Sequence, residues 1–145
     1  MASIIRIGSW IATAFLATSA AGAQPARQYF PRPNKPASYA VRVGDNVYVS
    51  GVTGHAADGT LPADFTAQAI NAMDGIVKEL RLAGATMDDV YKCQIVLVNM
   101  DDFDKFNTVY MRYFKPDRLP TRMSWGVTTL GGSAVEVQCE AHIGG

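Results

Sequence analysis

Histidine and cysteine are scarce in this 145-residue chain, which holds two of each. The histidines, His55 and His142, stand far apart with no paired ligand spacing, so the sequence offers no metal site. Neither sign of charge is in excess. Thirteen Lys and Arg balance thirteen Asp and Glu, and there is no basic stripe or acidic tail. Composition therefore gives no support for a nucleic-acid or polyanion partner. Long hydrophobic runs are missing too. The N-terminal apolar run, Trp10 to Thr18, is too short to span a bilayer comfortably. Repeats and low-complexity tracts are absent. The glycines between Gly51 and Thr60 match no dinucleotide or P-loop pattern, and no lysine stands where a P-loop needs one. That stretch reads as a turn-rich connection.

What is present begins with a targeting pattern. Arg6, the apolar run and the small-residue site Ala21-Gly22-Ala23 predict a cleaved signal peptide over residues 1–23, with an uncleaved anchor as the alternative. The implied location is secreted or periplasmic. The remaining chain fits one domain that buries about two-thirds of its unfolded surface. Residues 24–37, with Pro25, Pro31, Pro33 and Pro36, read as an extended lead-in, and 38–145 as the folded domain. An oxidising compartment admits a disulfide between Cys93 and Cys139. Both cysteines fall on apolar strand faces, however, where buried thiols are common, and the expectation is two free thiols.

The element order reads β-β-α-β-α-β-β. Tyr39 to Val43 and Asn46 to Ser50 flank a Gly44-Asp45 hairpin signal. Asp64 to Ala83 repeats apolar residues at three- and four-residue spacing, with Asp64 as N-cap and Gly84 as stop. Val90 to Val98 is a strand with Tyr91, Cys93, Ile95 and Leu97 on one face and Lys92, Gln94, Val96 and Val98 on the other. Asp101 to Phe114 is a second helix with an aromatic core stripe, capped by Asp101 or Asp102. Two amphipathic helices among half-apolar strands predict a two-layer α+β domain with both helices on one sheet face. The opposite face then carries Lys92, Gln94, Glu136, Gln138 and Glu140, which suits a shared subunit interface or plain exposure to solvent.

The last third of the chain outlines a site. Leu119 to Thr128 alternates Arg122, Ser124, Gly126 and Thr128 against Met123, Trp125 and Val127. Ala134 to Ile143 alternates apolar Val135, Val137, Cys139, Ala141 and Ile143 against Glu136, Gln138, Glu140 and His142. The two segments read as a hairpin across Leu130 to Ser133, with Arg122, Ser124 and Glu136 facing the same side. A guanidinium beside a hydroxyl and a carboxylate is the outline of a small-molecule site. Glu140 reads as structural and Trp125 as core or interface packing. Ser124 has no neighbouring base to activate it as a nucleophile.

In order and spacing these segments resemble the Rid (YjgF-type) family of reactive intermediate deaminases. The resemblance runs through Ala40 to Gly51, Ala83-Gly84-Ala85, Asp101-Asp102-Phe103 with Asn107 and Tyr110, Leu119 to Arg122, and Val135 to Val137. It implies a chorismate-mutase-like fold with a mixed sheet, and a homotrimer with pockets between subunits. The implied activity is that of a 2-iminobutanoate/2-iminopropanoate deaminase-like hydrolase. Such an enzyme converts enamines and imines such as 2-aminoacrylate to 2-oxo acids and ammonia without a cofactor. By the same resemblance Arg122 grips the substrate carboxylate, Glu136 handles the attacking water, and Ser50 and Gly51 line the pocket with backbone. Ser124 is expected to hydrogen-bond water or substrate, and Tyr39 to wall the pocket. The chain departs from the family in having Ser124 where a cysteine is common, Ala37 where a tyrosine is common, and Gly131-Gly132 in place of a proline-containing turn. The alternative function is a non-catalytic trimer that binds small carboxylates, or an interaction or chaperone-like protein of the same fold.

Overall fold

The computed structural model describes residues 26–144. They form seven strands, β1 (Arg27–Pro31), β2 (Ser38–Val43), β3 (Asn46–Val49), β4 (Val52–Thr53), β5 (Val90–Leu97), β6 (Thr121–Gly126) and β7 (Val135–His142). Two helices join them, α1 (Phe65–Leu82) and α2 (Phe103–Tyr110). All strands share one mixed sheet ordered β1-β2-β3-β7-β5-β6, with β4 pairing beside β3 on β7. The expected α+β architecture is present, with both helices on one face.

Helix α1 begins where Asp64 accepts a hydrogen bond from the Ala67 N–H at 2.8 Å, satisfying one of the helix's open donors. It ends before Gly84, whose φ of +82° only glycine adopts without strain. Its inner stripe, Ala69, Ala72, Met73, Ile76 and Leu80, is fully buried against Val47, Val49, Ile95, Val135 and Val137. Helix α2 is shorter than expected and is flanked by 3-10 turns at Met100–Asp102 and Met111–Tyr113. Asn99, not Asp101 or Asp102, supplies the side-chain cap at that entry, accepting from the Asp101 N–H at 3.1 Å. Buried Gln68 ties three segments together. It donates to the Pro62 carbonyl at 2.7 Å and accepts from the Ala134 N–H at 2.7 Å. Ser133 Oγ, beside it, accepts from the Gly54 N–H at 2.9 Å. This polar knot anchors the segment after β4 and the start of β7, the strand that carries Glu136 and its neighbour.

Several expectations are corrected. β1 lies inside the stretch expected to be an irregular lead-in; Pro31 is tolerated because β1 is an edge strand. A register shift between Val90 and Lys92 turns Tyr91 outward and lets Val90 join the core. Cys93 and Cys139 face each other in register on β5 and β7, with Cα atoms 4.1 Å apart, and form a disulfide instead of two free thiols. β6 and β7 are not a hairpin. β5 lies between them and pairs in parallel with β6 across the α2 crossover.

The expected signal peptide over residues 1–23 is also corrected. That stretch lies outside the described residues. Among the described residues no helix is long and apolar enough to cross a membrane, and nothing in the structure supports the reading.

Candidate functional site

The strand order decides which faces the polar residues take. Arg122 pairs with Cys93 and Ser124 with Ile95, so both lie on the helix-bearing face. Glu136 pairs with Val96, whose other partner is Trp125, so these three share the open face. Within one chain, therefore, Arg122 and Ser124 stand on the opposite side of the sheet from Glu136. The expected sharing of one face does not occur, because it presumed β6 and β7 to be neighbours in a hairpin.

Around Arg122 the edge of the sheet meets α2. The guanidinium, exposed to solvent, lies 5.1 Å from the Phe103 ring centre and 5.0 Å from that of Tyr110. Both are cation–π distances. No protein carboxylate pairs with it among the described residues. Arg122, Asn107, Tyr110 and Pro120 line a cavity of about 430 Å³. The Asn107 Oδ1, Tyr110 hydroxyl and Ser124 Oγ are buried without hydrogen-bond partners among the described residues. Burial pushes the Tyr110 phenol up to about 12, with Arg122 opposing, so at neutral pH it remains a donor. Sequence reasoning named Asn107 and Tyr110 as motif residues but missed them as lining. The available signal was Asn107, an amide interrupting the aromatic stripe of Phe103, Phe106 and Tyr110.

On the open face, Ser50, Gly51, Gln94, Val96, Trp125, Glu136 and Gln138 line a second cavity of about 280 Å³. The chain breaks from ladder geometry at Ser50-Gly51, between β3 and β4. The Ser50 N–H donates to the Tyr39 carbonyl at 2.9 Å and its hydroxyl to the Ser38 carbonyl at 2.7 Å. Gly51 has a steric reason. A Cβ there would collide with the Glu136 carboxylate, so the glycine makes room for that side chain beside bare backbone. Glu140, four residues further along β7, is occupied by Lys92 at 2.8 Å and the Tyr91 hydroxyl at 3.0 Å. The Lys92 bond above all holds its carboxyl below the usual range, so Glu140 is structural as expected. Tyr39 joins neither cavity. It walls a third, beneath the Arg32 guanidinium, with Gly51 as the shared boundary.

The profile of the family described as Endoribonuclease L-PSP matches residues 28–143. The chain belongs to the Rid family. Among its Rid relatives, a RutC family protein of Sulfurisphaera tokodaii is 33% identical over 107 residues, covering 72% of this chain and 85% of that protein. A 2-iminobutanoate/2-iminopropanoate deaminase of Mus musculus is 34% identical over 109 residues, covering 73% and 80% respectively. The solved structure of YyfA from Yersinia pestis, described as a protein of unknown function of the conserved Rid family, superposes with a TM-score of 0.76. It is 28% identical and covers 81% of this chain and all of that one (100%). The Rid fold thus accounts for the sheet order and for both helices on one face.

Proposed function

We propose that this Rid protein hydrolyses small 2-imino acids, and the enamines that tautomerise to them, to 2-oxo acids and ammonia. One observation carries the reading. Among the described residues, Arg122 is steadied by two aromatic rings, has no protein carboxylate of its own, and opens on a cavity with unpartnered polar atoms. A planar guanidinium so placed suits the two parallel hydrogen bonds of a ligand carboxylate. The mouse relative's name fits that substrate class.

Because Glu136 lies across the sheet, a complete site needs a second copy of the chain. Arg122 of one subunit and Glu136 of its neighbour then meet at the interface of a homotrimer. The open face has apolar surface for such contacts, in Tyr48, Met123 and Trp125 at 41%, 65% and 37% exposure. An enamine first takes a proton at C3 and gives one up from its nitrogen, becoming the 2-imino acid. Glu136 accepts a proton from a water that adds to the imine carbon, while the imine nitrogen is protonated. The tetrahedral carbinolamine takes the proton held by Glu136 onto its nitrogen and then expels ammonia as the C–N bond breaks and the C–OH proton is lost. Ser50, Gly51 and Ser124 orient water and substrate. Since such imines already hydrolyse in water, positioning supplies much of the acceleration.

The test generates an imine from an amino acid with an amino-acid oxidase and traps the remainder with semicarbazide. Wild-type protein is expected to lower semicarbazone formation and Glu136→Gln to leave it near the uncatalysed level. Equal trapping with and without wild-type protein would sink the proposal. The second reading, a non-catalytic carboxylate binder, rests on the Arg122 cavity forming within one chain without Glu136. It predicts saturable binding of 2-oxobutanoate with no imine turnover.

A further inference from the structure

Five buried side-chain polar atoms lack a hydrogen-bond partner among the described residues. Three belong to the Arg122 group. The other two, Arg32 Nε and Glu79 Oε2, belong together elsewhere. Arg32 Nη2 donates to Glu79 Oε1 at 2.5 Å, joining the segment after β1 to the last turn of α1. The pair is engaged on one side only, which leaves one buried donor and one buried acceptor unused. Glu79 is only 5% exposed. Burial foremost pushes its carboxyl up to about 7 despite Arg32, as for a carboxylate whose solvation is incompletely replaced.

Both residues line a cavity of about 570 Å³, the same one that Tyr39 walls. The Arg32 guanidinium is fixed over the Tyr39 ring at 4.7 Å, so it cannot swing away at no cost. Lys35 and Lys78 stand on the lining with exposed ammonium groups, and Asp74 adds a second carboxylate. Thr53 and Asn71 supply neutral polar groups deeper in the wall. The lining thus presents cations and carboxylates together, with an unpartnered member of each kind at its buried end. A purely anionic ligand would meet Glu79, and a purely cationic one would meet Arg32 and the lysines. A zwitterion satisfies both.

We propose that this cavity is a second ligand site, distinct from the Arg122 and Glu136 groups, that binds a free α-amino acid. The ammonium is held by Glu79 and Asp74, and the carboxylate by Arg32 Nε and Lys35, with Lys78 at the mouth. Tyr39 is then a residue of this site and not of the deaminase site. The proposal does not depend on deaminase activity.

The probe is L-glutamine, titrated calorimetrically into the full chain. Its two truncated forms serve as controls, 4-aminobutanamide without the carboxylate and glutaramate without the ammonium. Saturable binding of L-glutamine at one per chain is expected, with both truncated forms weaker by about tenfold or more, the loss of one charge-assisted contact. Glu79→Gln, close in shape, and Lys35→Ala, on the exposed rim, should each weaken L-glutamine by a similar factor. Arg122→Ala should bind it as wild type does. No saturable heat with wild type, equal affinity in Glu79→Gln and Lys35→Ala, or loss of binding in Arg122→Ala would each overturn the proposal.

Discussion

Replacing Arg122 separates charge from geometry at the proposed carboxylate anchor. In Arg122→Ala the guanidinium is lost outright, and the substrate carboxylate loses two charge-assisted hydrogen bonds. At about 1.5–3 kcal/mol each, that is roughly 3–6 kcal/mol, or a fall in kcat/KM of about two to four orders of magnitude. Arg122→Lys keeps the charge but not the fork. One bond is recovered and the stacking on Phe103 and Tyr110 is weakened, so the loss is about 1.5–3 kcal/mol, or roughly 10- to 150-fold. Neither change should unfold the protein, because Arg122 is exposed and makes no ion pair among the described residues. The assay is oxidase-generated imine with semicarbazide trapping, run across substrate concentrations to separate KM from kcat. A second imine, made by an amine oxidase and lacking a carboxylate, is the control. It should be hydrolysed at similar rates by wild type and Arg122→Ala. A lysine variant equal to wild type, or an alanine variant impaired equally on both imines, would refute the carboxylate role.

Gly51→Ala should lower kcat at least tenfold with the trimer intact, since the added methyl displaces the Glu136 carboxylate; the imine assay and solution mass together check this. Reducing the Cys93–Cys139 disulfide, which closes a separation of 46 residues, should cost about 4 kcal/mol by the chain-entropy relation, seen as a lower urea midpoint. Glu79, raised from 4.5 to about 7, binds more protons folded than unfolded between those values. Its contribution to stability is therefore largest below pH 4.5 and falls by roughly 3 kcal/mol as pH rises through 7. Urea midpoints at about pH 5 and about pH 8 should differ in that sense, and Glu79→Gln should flatten the difference.

Helix α1 was legible because periodicity and punctuation agreed: Asp64 and Gly84 bracket it in the structure as in the sequence. Alternation also reported faithfully which residues of β6 and β7 share a face within each strand. It could not report which strand lies beside which, and that decides whether Arg122 and Glu136 meet. A strand, a helix and a strand in succession, Val90 to Gly126, is the pattern of a parallel crossover, and weighing it against the hairpin would have separated β6 from β7. At the sheet edge the usual meaning of polarity also inverts. Arg122 and Ser124 face the helix layer because β6 runs past the side chains that cover β5 and β7. β1 was hidden by prolines that only an edge strand accepts. The disulfide was hidden because two cysteines on apolar faces announce burial, while their pairing depends on register. Tyr39 was assigned by resemblance, and nothing local in the sequence tells that it stacks under Arg32.

The central claim is that one working site draws Arg122 from one subunit and Glu136 from the next. Subunit mixing tests it most directly. Arg122→Ala and Glu136→Gln proteins, each inactive alone, are unfolded together in equal amounts, refolded and assayed on the same imine. In a head-to-tail ring about one site in four pairs an intact arginine with an intact glutamate, so activity should return to about a quarter of wild type. No recovery from refolded trimers, or a solution mass near that of a monomer for active wild type, would contradict the account.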